Sequence, residues 1–584
     1  MIRQTAHPTP PCHPCGLDPQ PDPVALVHLD GAAKQSLETG RTRLLVTGLV
    51  FALAFFVIGL RLVEVSLLYD DRESRQAARG EAAAARSHRA DIVDRNGFVL
   101  ATSLPSASLY ANPRQIRNPA RVAAQLSRAL PDLSVAVLTD KLSGDGAFVY
   151  IKRNVTPREQ DAVNRLGIPG LNFETGSIRV YPHGPLVAHT VGFTDIDGRG
   201  LAGIEQSFNS LLRDSADPLA LSLDLRLQHI VTEELAAAMA EFHAIGASGV
   251  VLDVESGEVL SMVSLPSFDS NEPGTASEDA RFNRASLGLY EMGSVFKIFT
   301  TAMALDSGAV SLQDGYDVSK PIRVARFTIN DYKPKNRWLS VPEIFMYSSN
   351  IGTVQMALAA GTPLQQRYLE RFGLTRPSAI ELPESGRPML PSPWREINTM
   401  TISYGHGLAV SPLQLANAVA AVINGGELLP ATLLKREPGE RPVGERVISE
   451  ETSRAMRWMM RLVVQHGTGR KADAAGLLVG GKTGTSDKLA GGHYVRNARI
   501  ASFVGAFPIE RPRYVVFAMI DEPKGNKSTY GYATGGWVAA PVIRRVVERM
   551  APMYAIQPHT TQEAADIDSI LIPATVKGLA LAAD

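Results

Sequence analysis

Three short stretches of this 584-residue chain hold residues whose types and spacing could carry acyl transfer. Ser294 and Lys297 are its only Ser-x-x-Lys pair, inside the apolar run "GSVFKIFT". Residues three apart on a helix lie about 60° apart on one face. A serine hydroxyl is a poor nucleophile and needs an adjacent base. A lysine among Phe296, Ile298 and Phe299 would be desolvated, which lowers its pKa and favours the neutral amine. A helix start at Gly293 would also offer backbone N–H groups to an oxyanion. An ordinary helix with a snorkelling lysine fits the same pattern.

The second stretch is "MYSSNIGT", where Ser348 and Asn350 could aim a hydroxyl and an amide into one cleft. Alone it carries little, because "SFN" at 207–209 matches too. The third is "GGKTGTS", the only Lys-Thr-Gly, with Lys482, Thr483, Gly484 and Thr485. Lys482 and the threonine hydroxyls suit a carboxylate. The glycines would let a substrate backbone approach an edge strand. A surface strand with a turn is the plain alternative.

These residues need a scaffold. "VFKIFTTAMALDSG" reads as one helix ending near Gly308. "GVVLDVESGEVLSMVS" reads as two strands joined by Glu-Ser-Gly, and "ASFVGAF" and "YVVFAMIDEP" as later strands. "WVAAPVIRRVVERM" reads as a closing helix. Strands at both ends with helices between predict an α/β domain over 223–555, one antiparallel sheet flanked by helices. Residues 64–222 read as a separate α+β module. It opens with a polar, Ala-rich helical stalk to about Arg86, then short strands around the "DRNG" turn and a helix at "PARVAAQLSRAL". Residues 556–584 read as a tail.

"LLVTGLVFALAFFVIGL", Leu44 to Leu60, is seventeen residues without a charge. A bilayer needs about 20 apolar residues, and "RLV" extends the span. No small-x-small cleavage site follows, so an uncleaved anchor is expected over 44–63. Lys34, Arg41 and Arg43 precede it, whereas Arg61 is balanced by Glu64, Asp70 and Asp71. That places the 1–43 tail in the cytoplasm and the bulk of the chain outside the inner membrane. The two cysteines, Cys12 and Cys15, lie in that Pro-rich tail. Metal binding there is conceivable, but a disordered tail is the simpler reading, and the exported part has no disulfides. Lys plus Arg and Asp plus Glu both number 59, with no basic stripe, so nothing points to nucleic acid.

Ser-x-x-Lys, Ser-x-Asn and Lys-Thr-Gly in that order are the signature of penicillin-recognising serine enzymes. From the anchor to about residue 555 the chain resembles the class B penicillin-binding proteins, in particular their FtsI-type division branch. The resemblance rests on "RADIVDRNG" (89–97), "RVYPHG" (179–184), "GLAGIEQSFN" (200–209), "LPSFDSN" (265–271), "NRASLGLYEMGSVFK" (283–297), "SYGHGLAVSPLQLANA" (403–418), "GTG" (467–469) and "ASFVGAFP" (501–508). "WREINTMTISYGHG" tilts it toward division. Ala90 and Met292 depart from the usual Gly and Pro.

The resemblance implies a membrane anchor, a pedestal of the penicillin-binding-protein dimerisation type over 64–222, and a transpeptidase domain. It implies cross-linking of peptidoglycan stem peptides ending in D-Ala-D-Ala, inhibition by β-lactams, and no metal or cofactor. Ser294 would be the nucleophile, Lys297 its base, Ser348 a proton relay and Asn350 a holder of Lys297 and substrate. Lys482, Thr483 and Thr485 would bind the terminal carboxylate, and the Ser294 and Thr485 amides would form the oxyanion hole. Glycan polymerisation would fall to a polytopic membrane partner among other division proteins. The alternatives are an elongation-type transpeptidase, a carboxypeptidase or β-lactamase, and a non-catalytic division scaffold.

Overall fold

The computed structural model describes residues 41, 43–63, 89–324, 327–437, 439–490 and 493–571. The proposed stalk before residue 89, Cys12 and Cys15 lie outside these residues. The chain forms two units, Met1–Ala83 and Ala84–Asp584. In the first, helix α1 (Arg43–Val63) has a mean hydropathy of 2.4 and is long and apolar enough to cross a membrane. Its large apolar side chains, Phe51, Phe55 and Phe56 among them, are exposed, as lipid-facing groups would be.

The second unit begins with a mixed sheet of β1 (Ile92–Val93), β2 (Val99–Ala111), β3 (Val149–Val155), β4 (Leu171–Val180) and β5 (Leu219–Ala220). The "DRNG" turn joins β1 to β2: Asp94 Oδ1 accepts from the Asn96 and Phe98 amides, and Gly97 takes φ +87°. The strand after the turn is longer than the short strands expected there, running 13 residues from Val99 to Ala111. Pro105 is tolerated because β2 has a neighbour, β4, on only one side at that point. Helix α2 (Pro119–Ala129) is capped by Asn118 and buries Val122, Ala123 and Leu126 against β2 and β3 residues such as Leu109 and Ile151.

Three stretches far apart in sequence meet in this module. Glu205, fully buried, accepts from Arg89 Nε at 2.5 Å and from Arg179 Nε at 2.7 Å. Arg89 also donates to the Glu205 and Gly198 carbonyls and to Asn209 Oδ1. Arg179 adds the Arg89 carbonyl and Ser103. Beside it, helix α3 (Gly184–Val191) opens where Asn271 grips the backbone of Tyr181 through Oδ1 and Nδ2, tying the module to the chain that follows.

After α4 (Leu225–Glu241) comes the central sheet, in the order β8-β9-β10-β6-β7, antiparallel throughout. Its strands are β6 (Gly246–Asp253), β7 (Val259–Leu265), β8 (Gly480–Ala490), β9 (His493–Phe507) and β10 (Tyr514–Asp521). Alternate residues face opposite ways. Val251, Val263, Phe503 and Val516 pack on α4 and on α11 (Gly535–Met550). Val250, Met262, Val504 and Phe517 pack on a helical layer. That layer holds α5 (Lys297–Asp306), α6 (Val341–Tyr347), α7 (Asn350–Ala360), α8 (Glu396–Ser403), α9 (Pro412–Ile423) and α10 (Glu450–Gln465). β8, with Lys482, is an edge strand, as expected. The segment read as a tail does not simply trail away. The His559 amide bonds the Gly476 carbonyl, and α12 (Thr561–Leu571) packs Ala564 and Ile567 on the core.

Candidate active site

Ser294 sits on a turn of 3₁₀ helix, Gly293–Phe296, that feeds directly into α5. The sequence predicts one continuous α-helix here. The tighter turn eclipses residues three apart, so Ser294 and Lys297 stack one above the other. Gly293 takes φ +54°, and a Cβ there would lie 2.6 Å from the Thr485 carbonyl oxygen and 3.2 Å from the Thr485 nitrogen. The serine turn is thus pressed onto the Lys-Thr-Gly strand.

Lys297 is completely buried. Its Nζ donates to the Ser348 carbonyl (2.5 Å), Ser348 Oγ (3.1 Å) and Asn350 Oδ1 (2.7 Å). Burial pushes its pKa well down, the nearby Lys482 pushes it further, and Asp331 opposes both. Lys482 is equally buried, and burial lowers its pKa to about 7. Its Nζ donates to the same Ser348 Oγ at 2.9 Å. Two cations with weakened hold on their protons therefore share one hydroxyl. Neither has a carboxylate within 4 Å among the described residues.

Ser348 can meet both because it ends α6 in the left-handed conformation, φ +61°. That conformation is uncommon for a residue with a Cβ, and such strain concentrates at functional sites. The next helix is held by Asp331. This carboxylate accepts from Ser349 Oγ (2.7 Å) and from the Asn350 and Ile351 amides (2.6 and 3.0 Å) at the positive end of α7. Asn350 Nδ2 donates to the Asn330 carbonyl, leaving its oxygen for Lys297. Sequence reading missed Asp331. It stands in a loop without periodicity, and only its contacts reveal it.

On β8, Thr483 Oγ1 lies 2.8 Å from Thr468 Oγ1, a second residue missed as a site group although "GTG" was noticed. Thr485 Oγ1 accepts from the Gly535 amide at the start of α11 and keeps its own proton free to donate. The expected reason for Gly484 changes. A Cβ there would strike Ser502 Oγ at 2.3 Å and the Met292 carbonyl at 2.5 Å, so its space is filled by the serine turn rather than kept for substrate. Ser294 Oγ, partly exposed, has no hydrogen-bond partner among the described residues. Lys297 reaches Ser348 and Asn350 instead. The structure brings all eight sequence-predicted residues to one site.

Residues 247–548 match the penicillin binding protein transpeptidase domain, and 84–217 match the penicillin-binding protein dimerisation domain. The fold is shared with penicillin binding protein 3 of Mycobacterium tuberculosis complexed with aztreonam. The TM-score is 0.64 at 24% identity, covering 81% of this chain and 98% of that one. The chain is 42% identical over 494 residues to the probable peptidoglycan D,D-transpeptidase FtsI of Caulobacter vibrioides, covering 82% of this chain and 84% of the relative. It is 30% identical over 558 residues to the peptidoglycan D,D-transpeptidase FtsI of Escherichia coli K12, covering 89% and 92%. With a transpeptidase domain behind a dimerisation module, the chain belongs to the class B penicillin-binding proteins.

Proposed function

We propose that this chain is the peptidoglycan D,D-transpeptidase of cell division. Ser294 Oγ attacks the carbonyl of the penultimate D-Ala of a donor stem, and its proton passes to neutral Lys297. The oxyanion is held by the Ser294 and Thr485 amides, in keeping with the close seating of Gly293 on Thr485. As the C–N bond breaks, Ser348 relays a proton to the departing D-Ala amine, while Asn350 holds Lys297 and the substrate amide. Lys482, Thr483 and Thr485 take the terminal carboxylate. An amine of a second stem, losing its proton through the same groups, displaces Ser294 and completes the cross-link. A β-lactam enters as the donor and stalls as the acyl-enzyme.

The observation that carries this reading is the convergence of Lys297 and Lys482, both fully buried, on Ser348 Oγ. A scaffold has no use for two fully buried lysines without a carboxylate partner. Around this centre we place the pedestal at 64–222 and the transpeptidase domain at 223–555. Residues 1–43 are cytoplasmic, and the catalytic domain faces the periplasm, as the cationic flank Lys34, Arg41 and Arg43 directs. Glycan strands come from a polytopic polymerase partner. One experiment tests enzyme, topology and role together. A fluorescent penicillin that cannot cross the inner membrane should label cells in mid-cell bands, and Ser294→Ala should abolish the labelling. Undiminished labelling of Ser294→Ala would sink the acyl-serine reading, and label along the side walls would favour elongation.

A further inference from the structure

The carboxylate of Glu291 lies three residues before the nucleophile and takes no part in the chemistry above. Its side chain is 9% exposed. Oε1 accepts from the Gly407 amide at 2.8 Å, and Oε2 lies 3.2 Å from His406 Nδ1. From the other side, Tyr494 of β9 donates its hydroxyl to the same carboxylate at 3.0 Å. Ser486 of β8 donates to the Glu291 carbonyl. One residue thus clasps the 404–407 loop, the edge strand and its neighbour.

The clasp surrounds a turn that lacks a side-chain cap of its own. Met292, at the cap position, makes no side-chain capping bond. The turn is instead squeezed. The Gly293 amide bonds the Gly405 carbonyl at 3.2 Å, and a Cβ on Gly405 would lie only 1.9 Å from the Gly293 carbonyl oxygen. On the opposite side Gly293 presses on the Thr485 backbone. Two faces of the turn are therefore set by the very loop and strand that Glu291 joins.

We propose that Glu291 is a positioning residue for acylation, fixing the Ser294 turn between the 404–407 loop and Thr485 so that the Ser294 and Thr485 amides converge on one oxygen. This rests on the acyl-serine reading. Its effect belongs to the transition state, since Glu291 itself bonds Gly407, His406, Tyr494 and Ser486 and leaves the Thr483 and Thr485 hydroxyls and Lys297 untouched. Binding of an intact β-lactam should survive its loss.

The test separates pre-acylation binding from the acylation step by stopped-flow with a fluorescent penicillin on the full-length protein in detergent. Rates are counted per molecule that can be acylated at long times. Glu291→Ala should slow the acylation step about 10²-fold, the scale of a misplaced or lost oxyanion donor, with the binding constant within about threefold of wild type. Glu291→Gln keeps an acceptor for Gly407 and a partner for Tyr494 and should recover most of the rate. A purely structural Glu291 would give a lower melting temperature and an unchanged acylation step, which overturns the proposal. So would a loss confined to binding. If Glu291→Ala does not fold, the double variant Tyr494→Phe/His406→Gln, changed only at partly exposed side chains, carries the test. Slower acylation with unchanged binding supports the clasp, and unchanged acylation overturns it. Failure of the acyl-serine reading itself would look different, because the wild type would then form no penicilloyl-serine.

Discussion

Two regions of the chain bury charge in opposite ways. In the pedestal, Glu205 sits between Arg89 and Arg179, and opposite charges meet at 2.5 and 2.7 Å. In the catalytic domain, Lys297 and Lys482 are buried with like charge nearby and only neutral oxygens as first partners. Pairing lets ions remain ions inside protein, at a desolvation cost that the partner offsets. Leaving cations unpaired drives them toward the neutral form, and a neutral amine can accept a proton. The first arrangement fixes structure, and the second, on the proposed mechanism, supplies the base.

The sharpest way to break the contrast is to exchange the kind of cation. Lys297→Arg keeps a charge that cannot be surrendered, since guanidinium stays protonated. It should lower penicillin acylation on the order of 10²–10⁴-fold, the usual worth of a general base, in a protein that still melts cooperatively. The reciprocal change is Glu205→Gln, which leaves two guanidinium groups without their counter-charge. It should cost about 3–5 kcal/mol of stability, as breaking buried pairs does, measured by denaturant unfolding. Acylation per folded molecule should stay at the wild-type value. A Glu205→Gln protein of wild-type stability would remove the distinction between the two regions.

A pH-dependent effect sharpens it further. Lys482 titrates at about 7 when folded, against its ordinary 10.5 when unfolded. Between those values the unfolded chain binds the extra proton, so stability rises with pH across the window and is flat, for this group, below it. The slope is about 1.4 kcal/mol per pH unit. Lys482→Met should remove that component, seen as a shallower rise of the melting temperature between pH 7 and pH 10.

Much of the candidate site was legible because its motifs are local. Ser294 with Lys297, Ser348 with Asn350, and Lys482 to Thr485 each occupy one turn or one strand, and their order identifies the set. The antiparallel sheet was legible from short apolar runs at both ends of the domain. What the sequence hid is what depends on distant partners. Asp331 matters through the Ser349 hydroxyl and the Asn350 and Ile351 amides, Glu205 through arginines 116 and 26 residues away, and Glu291 through groups more than 100 residues on. The 3₁₀ turn at Ser294 was hidden for a related reason. It follows from a glycine pressed between two other segments, a constraint that helical periodicity does not carry. Gly484 reads from sequence as room for substrate, whereas in the fold a Cβ there would meet Ser502 and the Met292 carbonyl.

The central claim, that burial makes Lys297 a neutral base at working pH, is tested most directly by the pH dependence of wild-type acylation. The neutral amine is the active form, so the rate should rise as pH increases through the lowered Lys297 pKa and then level off. The direction of the shift places that plateau well below 10.5. Measured with a penicillin that does not ionise in the range, a plateau reached well below pH 10.5 supports the account. A rate still climbing tenfold per pH unit toward 10 would show that Lys297 keeps its ordinary proton affinity, and would contradict it.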